Sequence, residues 1–178
     1  MRIITGTAKG RKLESLEGRD VRPTTDRVKE ALFDILQFRI EGRRFLDMFA
    51  GSGQIGLEAL SRGAASAVLL DASKAAVQTT TRNARHVLLD DRAKICCADA
   101  LAYVSSTAET FDIAFLDPPY YAGLLPAALE KVQRCMAETG VIVCEHLKET
   151  ELPETAGLFI KSRTYRYGRI WLTRYEKP

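Results

Sequence analysis

At 178 residues the chain has the length of one compact domain with small additions, and 46% apolar with 28% charged residues excludes a disordered or collagen-like protein. No apolar run approaches the roughly 18 residues of a bilayer span, and Met1-Arg2-Ile3-Ile4-Thr5-Gly6 turns polar too early for a signal peptide, so a cytoplasmic protein is expected. The formal charge of +3 is uneven: residues 1–29 hold eight Lys and Arg against four Asp and Glu, residues 30–160 hold 12 against 18, and residues 161–178 hold six against one. Two basic ends around an acidic middle point to a polyanionic partner, the other reading being a solvated surface.

Residues 1–22 carry short β-prone and basic pieces, Arg2-Ile3-Ile4-Thr5 and Lys9-Gly10-Arg11-Lys12-Leu13, that read as a hairpin or loose arm. Pro23-Thr24-Thr25-Asp26 then resembles a helix start, with Val28, Ala31, Leu32, Ile35 and Leu36 at helical spacing up to about residue 38. From Phe45 strands and helices alternate: strands over 45–50, 66–70, 93–97, 111–116 and 141–145, and helices over 54–62, 73–88, 100–106 and 122–137. The strands are continuous apolar runs, as in a parallel sheet covered on both faces. Residues 158–165 and 169–175 are β-rich and joined by Arg166-Tyr167-Gly168, a link that permits an antiparallel hairpin but no parallel crossover. The expectation is an α/β, doubly wound, mostly parallel seven-stranded sheet ending in an antiparallel hairpin: a basic arm over 1–22 and the main fold over 23–178, one domain overall.

Cys96, Cys97, Cys135 and Cys144 show no C-x-x-C spacing, and His86 and His146 form no ligand cluster with them, so no metal site is expected. Cys96, Cys97 and Cys144 lie in strand-like runs, where a cysteine behaves as a small buried hydrophobe.

Asp47-Met48-Phe49-Ala50-Gly51-Ser52-Gly53-Gln54-Ile55-Gly56 joins a strand end to a helix through Gly-x-Gly-x-x-Gly, with Asp71 at the next strand's end, 20 residues after Gly51, placed to hold a ribose hydroxyl pair. That spacing suits a nicotinamide dinucleotide as well as adenosylmethionine. Asp47 begins to separate them: at the mouth of the first strand it would repel a pyrophosphate and attract an ammonium and a sulfonium. Its other reading is a carboxylate satisfied by backbone N–H groups. Asp99 is a candidate acceptor for the adenine amino group or a plain helix cap.

Asp117-Pro118-Pro119-Tyr120 closes the fourth strand, at the sheet edge where open α/β folds bind ligands. Two prolines remove two N–H donors and stiffen the chain. Asp117 and the rigid carbonyls would offer acceptors to an exocyclic amine, and Tyr120 a flat face for its base. N-methylation of a nucleobase needs this, because the amine lone pair is delocalised into the ring until its hydrogens are held. Tyr121, Tyr165, Tyr167 and Trp171 are candidates for stacking on nucleotides or for cross-strand packing.

Asp47-Met48-Phe49-Ala50-Gly51-Ser52-Gly53, Gly56-Leu57-Glu58-Ala59-Leu60-Ser61-Arg62-Gly63-Ala64, Asp117-Pro118-Pro119-Tyr120 and the upstream Arg22-Pro23-Thr24-Thr25-Asp26-Arg27 block resemble the RsmD family, bacterial methyltransferases of guanine N2 in small-subunit ribosomal RNA. The resemblance implies a Rossmann-like class I methyltransferase fold and S-adenosyl-L-methionine as methyl donor. It implies a guanine of 16S rRNA, guanine 966, as acceptor within an assembling small subunit. It places Asp47, Phe49, Ala50, Gly51, Ser52, Gly53, Asp71, Ala72, Asp99 and Ala100 around the cofactor, and Asp117, Pro118, Pro119 and Tyr120 in the catalytic loop. Asp71 stands where the family more often carries glutamate. Arg2, Lys9, Arg11, Lys12, Arg22, Arg166 and Arg169 are the expected phosphate contacts of a monomeric enzyme free of metal and membrane. Rival readings are methylation of adenine N6 in DNA or of a protein glutamine, a nicotinamide-dependent oxidoreductase, which leaves the Asp-Pro-Pro-Tyr loop without work, and a non-catalytic RNA-binding assembly factor.

Overall fold

Apolar runs bounded by glycine, proline and acidic residues become strands wherever the sequence alternates them with helical spacing, and the computed structural model, which describes residues 1–16, 25–120 and 123–178, orders them into one sheet. The strands are β1 (Arg44–Asp47), β2 (Ser66–Asp71), β3 (Ala93–Cys97), β4 (Phe111–Leu116), β5 (Met136–Leu147), β6 (Thr155–Ala156), β7 (Phe159–Tyr167) and β8 (Ile170–Glu176). Their order is β3-β2-β1-β4-β5-β8-β7-β6. The first five run parallel, and β8, β7 and β6 close the sheet antiparallel. The strand order reverses between β1 and β4, so a crevice opens at their carboxyl ends.

Successive strand residues point to opposite faces, and both faces are covered. Phe45, Phe115, Val143 and Leu172 face α1 (Asp26–Ile35), α2 (Gln54–Ser61) and α3 (Lys74–His86), whereas Leu46, Ala114, Cys144 and Tyr175 face α4 (Ala100–Ser106) and α5 (Leu125–Val132). Side-chain caps set three helix starts: Thr25 accepts from Val28 N, Ser73 from Ala76 N and Asp99 from Ala102 N.

Several boundaries differ from the sequence expectation. The first helix stops at Ile35 because the chain turns through Phe38, at φ +67°. The helix expected over 122–137 is shorter: Pro126 sits in the first turn of α5, and a 3₁₀ turn over Gln133–Cys135 delivers the chain into β5 five residues before the expected 141. An eighth strand, β6, extends the seven expected, pairing Thr155 with Ile160 and Ala156 with Phe159. Cys97 is exposed and Cys96 only half-buried, against the expectation of buried cysteines, because β3 is the sheet's edge; Cys135 and Cys144 are buried.

Residues 1–16 are no loose arm. Ile3, Ala8 and Leu13 belong to the core, Arg2 pairs with Lys12 in a single antiparallel bridge, and the segment is bonded to α2. Glu58, fully buried in α2, accepts from Ile4 N at 2.8 Å, Thr5 N at 2.9 Å and Arg62 Nε at 2.8 Å, and lies 3.7 Å from the fully buried Lys29 ammonium. Lys29 in turn donates to Arg2 O. Burial lowers the pKa of Lys29 and the Glu58 carboxylate opposes that shift. Ser61 completes the seam, accepting from Ala8 N and donating to Thr5 O.

Candidate active site

The glycine loop leaves β1 and enters α2 in a sharp turn. Gly51 and Gly53 take φ of +56° and +81°, which only glycine adopts without strain, and a side chain at Gly53 would run into Thr80. Thr80 Oγ1 donates to Gly51 O at 2.9 Å, and Asn83 Nδ2 donates to Ser52 O at 2.8 Å and to Glu14 O at 3.0 Å, so α3 clamps the loop and the amino-terminal segment together.

The loop's N–H groups are turned inward. Ala50 N donates to Leu70 O at 2.8 Å, Gly51 N to Asp71 Oδ2 at 2.9 Å, Gly53 N to Ala50 O at 2.7 Å and Gly56 N to Asp47 Oδ2 at 3.1 Å. A pyrophosphate approaching these four groups would meet two carboxylates and engaged donors. Asp71 also accepts from Ser73 N through Oδ1 at 2.8 Å. Each of its oxygens has a second acceptor position for a ribose hydroxyl.

Asp47 is 1% exposed, and burial pushes its pKa up to about 7 against the opposing bonds from the Gly56 and Phe49 N–H groups, with the nearby Asp71 charge adding to the rise. The structure shows the backbone-satisfying reading of Asp47, and its raised pKa makes it an acid whose ionisation a neighbouring cation would favour.

Asp117 follows β4 directly. Asp47 pairs with Phe115 across β1 and β4, and Leu116 pairs with Cys144 across β4 and β5. Asp117 therefore leaves the sheet between the carboxyl end of β1 and β5. Pro118 is buried, Pro119 exposed and Tyr120 half-buried. The Tyr120 hydroxyl donates to Glu145 Oε1 at 2.9 Å. Glu145 is 3% exposed and, like Pro118, Tyr120, Leu125, Pro126 and His146, lines a cavity of about 120 Å³ beside the loop. His146 binds Leu147 O through Nδ1 and Thr173 Oγ1 through Nε2, and burial lowers its pKa, which keeps the ring neutral.

A carboxylate thus stands at the carboxyl end of every parallel strand: Asp99 after β3, Asp71 on β2, Asp47 on β1, Asp117 after β4 and Glu145 on β5. Such a row receives cations, amines and hydroxyls and turns phosphates away. The remaining expected cofactor residues divide. Phe49 is half-buried, Ala50 and Ala100 are buried and Ala72 is exposed, all along this row, but the Ser52 hydroxyl is directed to Met1 Sδ at 3.1 Å. Asp99 caps α4 through Oδ1.

The basic residues do not form one surface. Arg166 and Arg169 flank the β7–β8 turn, which sits at the carboxyl end of β5 because Leu147 pairs with Ile170 and Lys148 N donates to Arg169 O. Arg166 lies 4.8 Å over the Trp171 ring, which meets His146 edge-on at 6.2 Å. Arg2 lies 3.7 Å from Asp26, and Lys12 is exposed. Arg11 donates to His86 O, at the far end of α3, and Lys9 is exposed on the same turn. With 13 residues in α3, that turn is about 18 Å below the cleft edge. Arg22 and Tyr121 lie outside the described residues. Tyr165 and Tyr167 pack against the α1 side of the core, as cross-strand aromatics do.

Glu145, Glu58 and Asn83 escaped sequence reading. For Glu145 a signal existed, since an acid ends the apolar run Val141-Ile142-Val143-Cys144 as Asp47, Asp71 and Asp117 end theirs. Glu58 and Asn83 carried none, because a polar residue on a helix reads as solvent-facing until its neighbours are known.

Among the described residues no helix is long and apolar enough to cross a membrane, and no group of three or more His, Cys, Asp and Glu is placed to hold a metal ion.

A family model described as "Conserved hypothetical protein 95" matches residues 1–176. The chain is 40% identical over 182 residues to the Bacillus subtilis (strain 168) protein named "Putative rRNA methyltransferase YlbH", covering 99% of each. It is 34% identical over 179 residues to the Escherichia coli (strain K12) "Ribosomal RNA small subunit methyltransferase D", covering 99% of this chain and 90% of that one. Among solved structures, "Putative methyltransferase yhhF from Escherichia coli" superposes with a TM-score of 0.89 at 35% identity, covering 99% of this chain and 97% of the other. With its Rossmann-like sheet, the chain belongs to the RsmD family of class I methyltransferases.

Proposed function

We propose that the protein is an S-adenosyl-L-methionine-dependent methyltransferase of ribosomal RNA that acts on the exocyclic N2 of a guanine in 16S rRNA, guanine 966 by the family resemblance. In this reading it works as a cytoplasmic monomer on an assembling small subunit. The observation that carries it is the row of strand-end carboxylates leading from the glycine loop to the stiff Asp117-Pro118-Pro119-Tyr120 hook, two of which, Asp71 and Asp47, accept from the loop's own Gly51 and Gly56 N–H groups. The residues fit the cofactor, which when bound supplies an electrophilic methyl group on a sulfonium.

The protein's own part is orientation and charge. Asp71 holds the ribose hydroxyl pair, and Asp47 supplies the countercharge at the methionine end. Asp117 and the Pro118 carbonyl accept the hydrogens of the target amine, which localises the nitrogen lone pair and stabilises the positive charge that nitrogen gains. Proline at 118 and 119 fixes φ at both positions, so these acceptors are in place before the base arrives. The base is splayed from its stack into the cleft beside Tyr120. Arg166 and Arg169, at the cleft edge, grip phosphates near the target, contacts that raise affinity without reading sequence.

The test is to incubate the protein with methyl-labelled adenosylmethionine and, separately, rRNA, small subunits lacking the modification, DNA and protein. Label on guanine N2 of 16S rRNA is expected; label on adenine N6 or on glutamine would overturn the assignment.

A further inference from the structure

Asn83 lies on α3, away from the row of carboxylates, and is 1% exposed, so the polar atoms of its amide must find partners inside the protein. They find them on two segments far apart in the chain. Oδ1 accepts from Glu14 N at 2.8 Å, while Nδ2 donates to Glu14 O at 3.0 Å and to Ser52 O at 2.8 Å. Both backbone groups of Glu14 therefore hold the plane of one rigid amide, and that plane aims the remaining N–H at the carbonyl of the glycine loop. The reverse placement of the amide atoms would set an oxygen against two carbonyls. The loop meets the amino-terminal segment at two further points: Ser52 Oγ donates to Met1 Sδ at 3.1 Å, and a side-chain carbon at Gly51 would lie 3.9 Å from Leu16 Cδ1. Thr80, about one turn earlier on α3, donates to Gly51 O at 2.9 Å and so holds the loop without passing through Glu14.

We propose that Asn83 is a positioning residue that couples docking of the amino-terminal segment to cofactor binding in the glycine loop. The inference rests on the reading of that loop as the S-adenosyl-L-methionine site. The peptide between Ser52 and Gly53 can turn over at little cost, because glycine tolerates either orientation, so its direction must be fixed from outside. Gly53 N is held by Ala50 O at 2.7 Å, and Ser52 O is held by Asn83. Once Glu14 leaves, the Asn83 amide can rotate about its own side-chain bond, and the loop peptide loses one of these two fixings. Glu58 secures Ile4 and Thr5 at the other end of the segment, so the opening that matters is local to Glu14. By linkage, the factor by which undocking weakens the cofactor is the factor by which the cofactor suppresses undocking.

Two measurements on the full chain test the coupling. Calorimetry with S-adenosyl-L-methionine, run well below the Tm of each variant, is expected to give Asn83→Ala a Kd about 10-fold above wild type, the worth of one positioning hydrogen bond. Hydrogen exchange of the wild-type protein, read amide by amide by NMR, is expected to slow about 10-fold at Glu14 N–H when the cofactor saturates. That slowing is measured beyond any at Gly42 N–H, which donates to Gly63 O at the amino end of the sheet. In Asn83→Ala, exchange at Glu14 is expected to stop responding to the cofactor. Thr80→Val, which deletes the bond to Gly51 O and leaves Glu14 bonded to Asn83, is expected to weaken affinity while keeping the protection of Glu14. An Asn83→Ala variant that loses Tm yet binds the cofactor as tightly as wild type makes the amide purely structural and overturns the proposal. A wild-type Glu14 N–H that the cofactor does not protect overturns it too, whether or not the variant folds, and so does a Thr80→Val variant that abolishes the protection equally. Failure of the wild-type protein to bind S-adenosyl-L-methionine overturns the underlying reading instead.

Discussion

Replacing Asp47 with Asn tests the electrostatics of the cofactor cleft through stability alone. Asp47 has a pKa raised from 3.8 to about 7 by burial. A carboxyl whose folded pKa exceeds its unfolded value contributes fully to stability below the unfolded pKa and loses that contribution as pH rises through the folded one. At about 1.4 kcal/mol per unit, the loss in the wild-type protein is roughly 1.5 kcal/mol by pH 5 and about 4 kcal/mol by pH 8. Asparagine keeps an acceptor for Gly56 N, which donates to Asp47 Oδ2 at 3.1 Å, and does not titrate. The stability of Asp47→Asn relative to wild type should therefore rise by about 2–3 kcal/mol between pH 5 and pH 8. Urea denaturation of the ligand-free proteins at the two pH values measures it. A difference that stays flat across that range would show that Asp47 is already ionised at pH 5, and the reasoning about its burial would be wrong. The same group makes a second demand: a cationic ligand favours ionised Asp47, so adenosylmethionine affinity should rise up to about tenfold per pH unit below 7 in the wild-type protein and lose that dependence in Asp47→Asn.

Asp117→Ala should leave cofactor affinity, read by calorimetry, within about threefold of wild type while methyl transfer falls by about 100-fold or more, the scale of losing a transition-state acceptor; retained turnover would exclude the role. Glu58→Ala strands the buried Lys29 ammonium and the Ile4 and Thr5 N–H groups, and should cost about 3–5 kcal/mol in urea denaturation; a loss under about 1 kcal/mol would show that the amino-terminal segment docks without it. Neutralising Arg166 and Arg169 should weaken RNA binding and reduce the slope of log affinity against log salt by about two, whereas neutralising Lys9 and Arg11, on the distant turn, should leave the slope nearly unchanged; the reverse ranking would place the RNA on the opposite end of the sheet.

How much of this was legible beforehand follows from what each feature depends on. The parallel strands and the closing hairpin were written in local terms: apolar runs such as Ile113-Ala114-Phe115-Leu116, and a link between β7 and β8 too short for a crossover. The strand-end carboxylates were legible for the same reason, since Asp47, Asp71 and Asp117 each end an apolar run. Features set by tertiary neighbours were not. Cys97 looked buried because its run is apolar, and its exposure follows from β3 standing at the edge of the sheet among the described residues. The amino-terminal segment read equally as a hairpin or a loose arm because its anchor, Glu58, lies more than 50 residues away. The basic ends looked like one grip because charge was counted along the chain, and α3 sets Arg11 apart from the hairpin turn.

The same separation explains why a core as acidic as residues 30–160 can serve a nucleic acid. A parallel sheet directs all its carboxyl ends to one edge, and here each parallel strand delivers a carboxylate there. That edge would repel a phosphodiester backbone, so an RNA gripped, as proposed, by Arg166 and Arg169 would keep its phosphates at the rim and offer the row only what carries protons: amines, ring N–H groups and hydroxyls. Repulsion of the backbone and acceptance of the base edge are two consequences of one charge pattern, and together they demand that the target nucleotide enter base first. An enzyme built this way needs no cationic residue inside the cleft, and adding one, as in Asp71→Lys, should draw phosphate into the glycine loop and inhibit at salt concentrations where the wild-type protein is active.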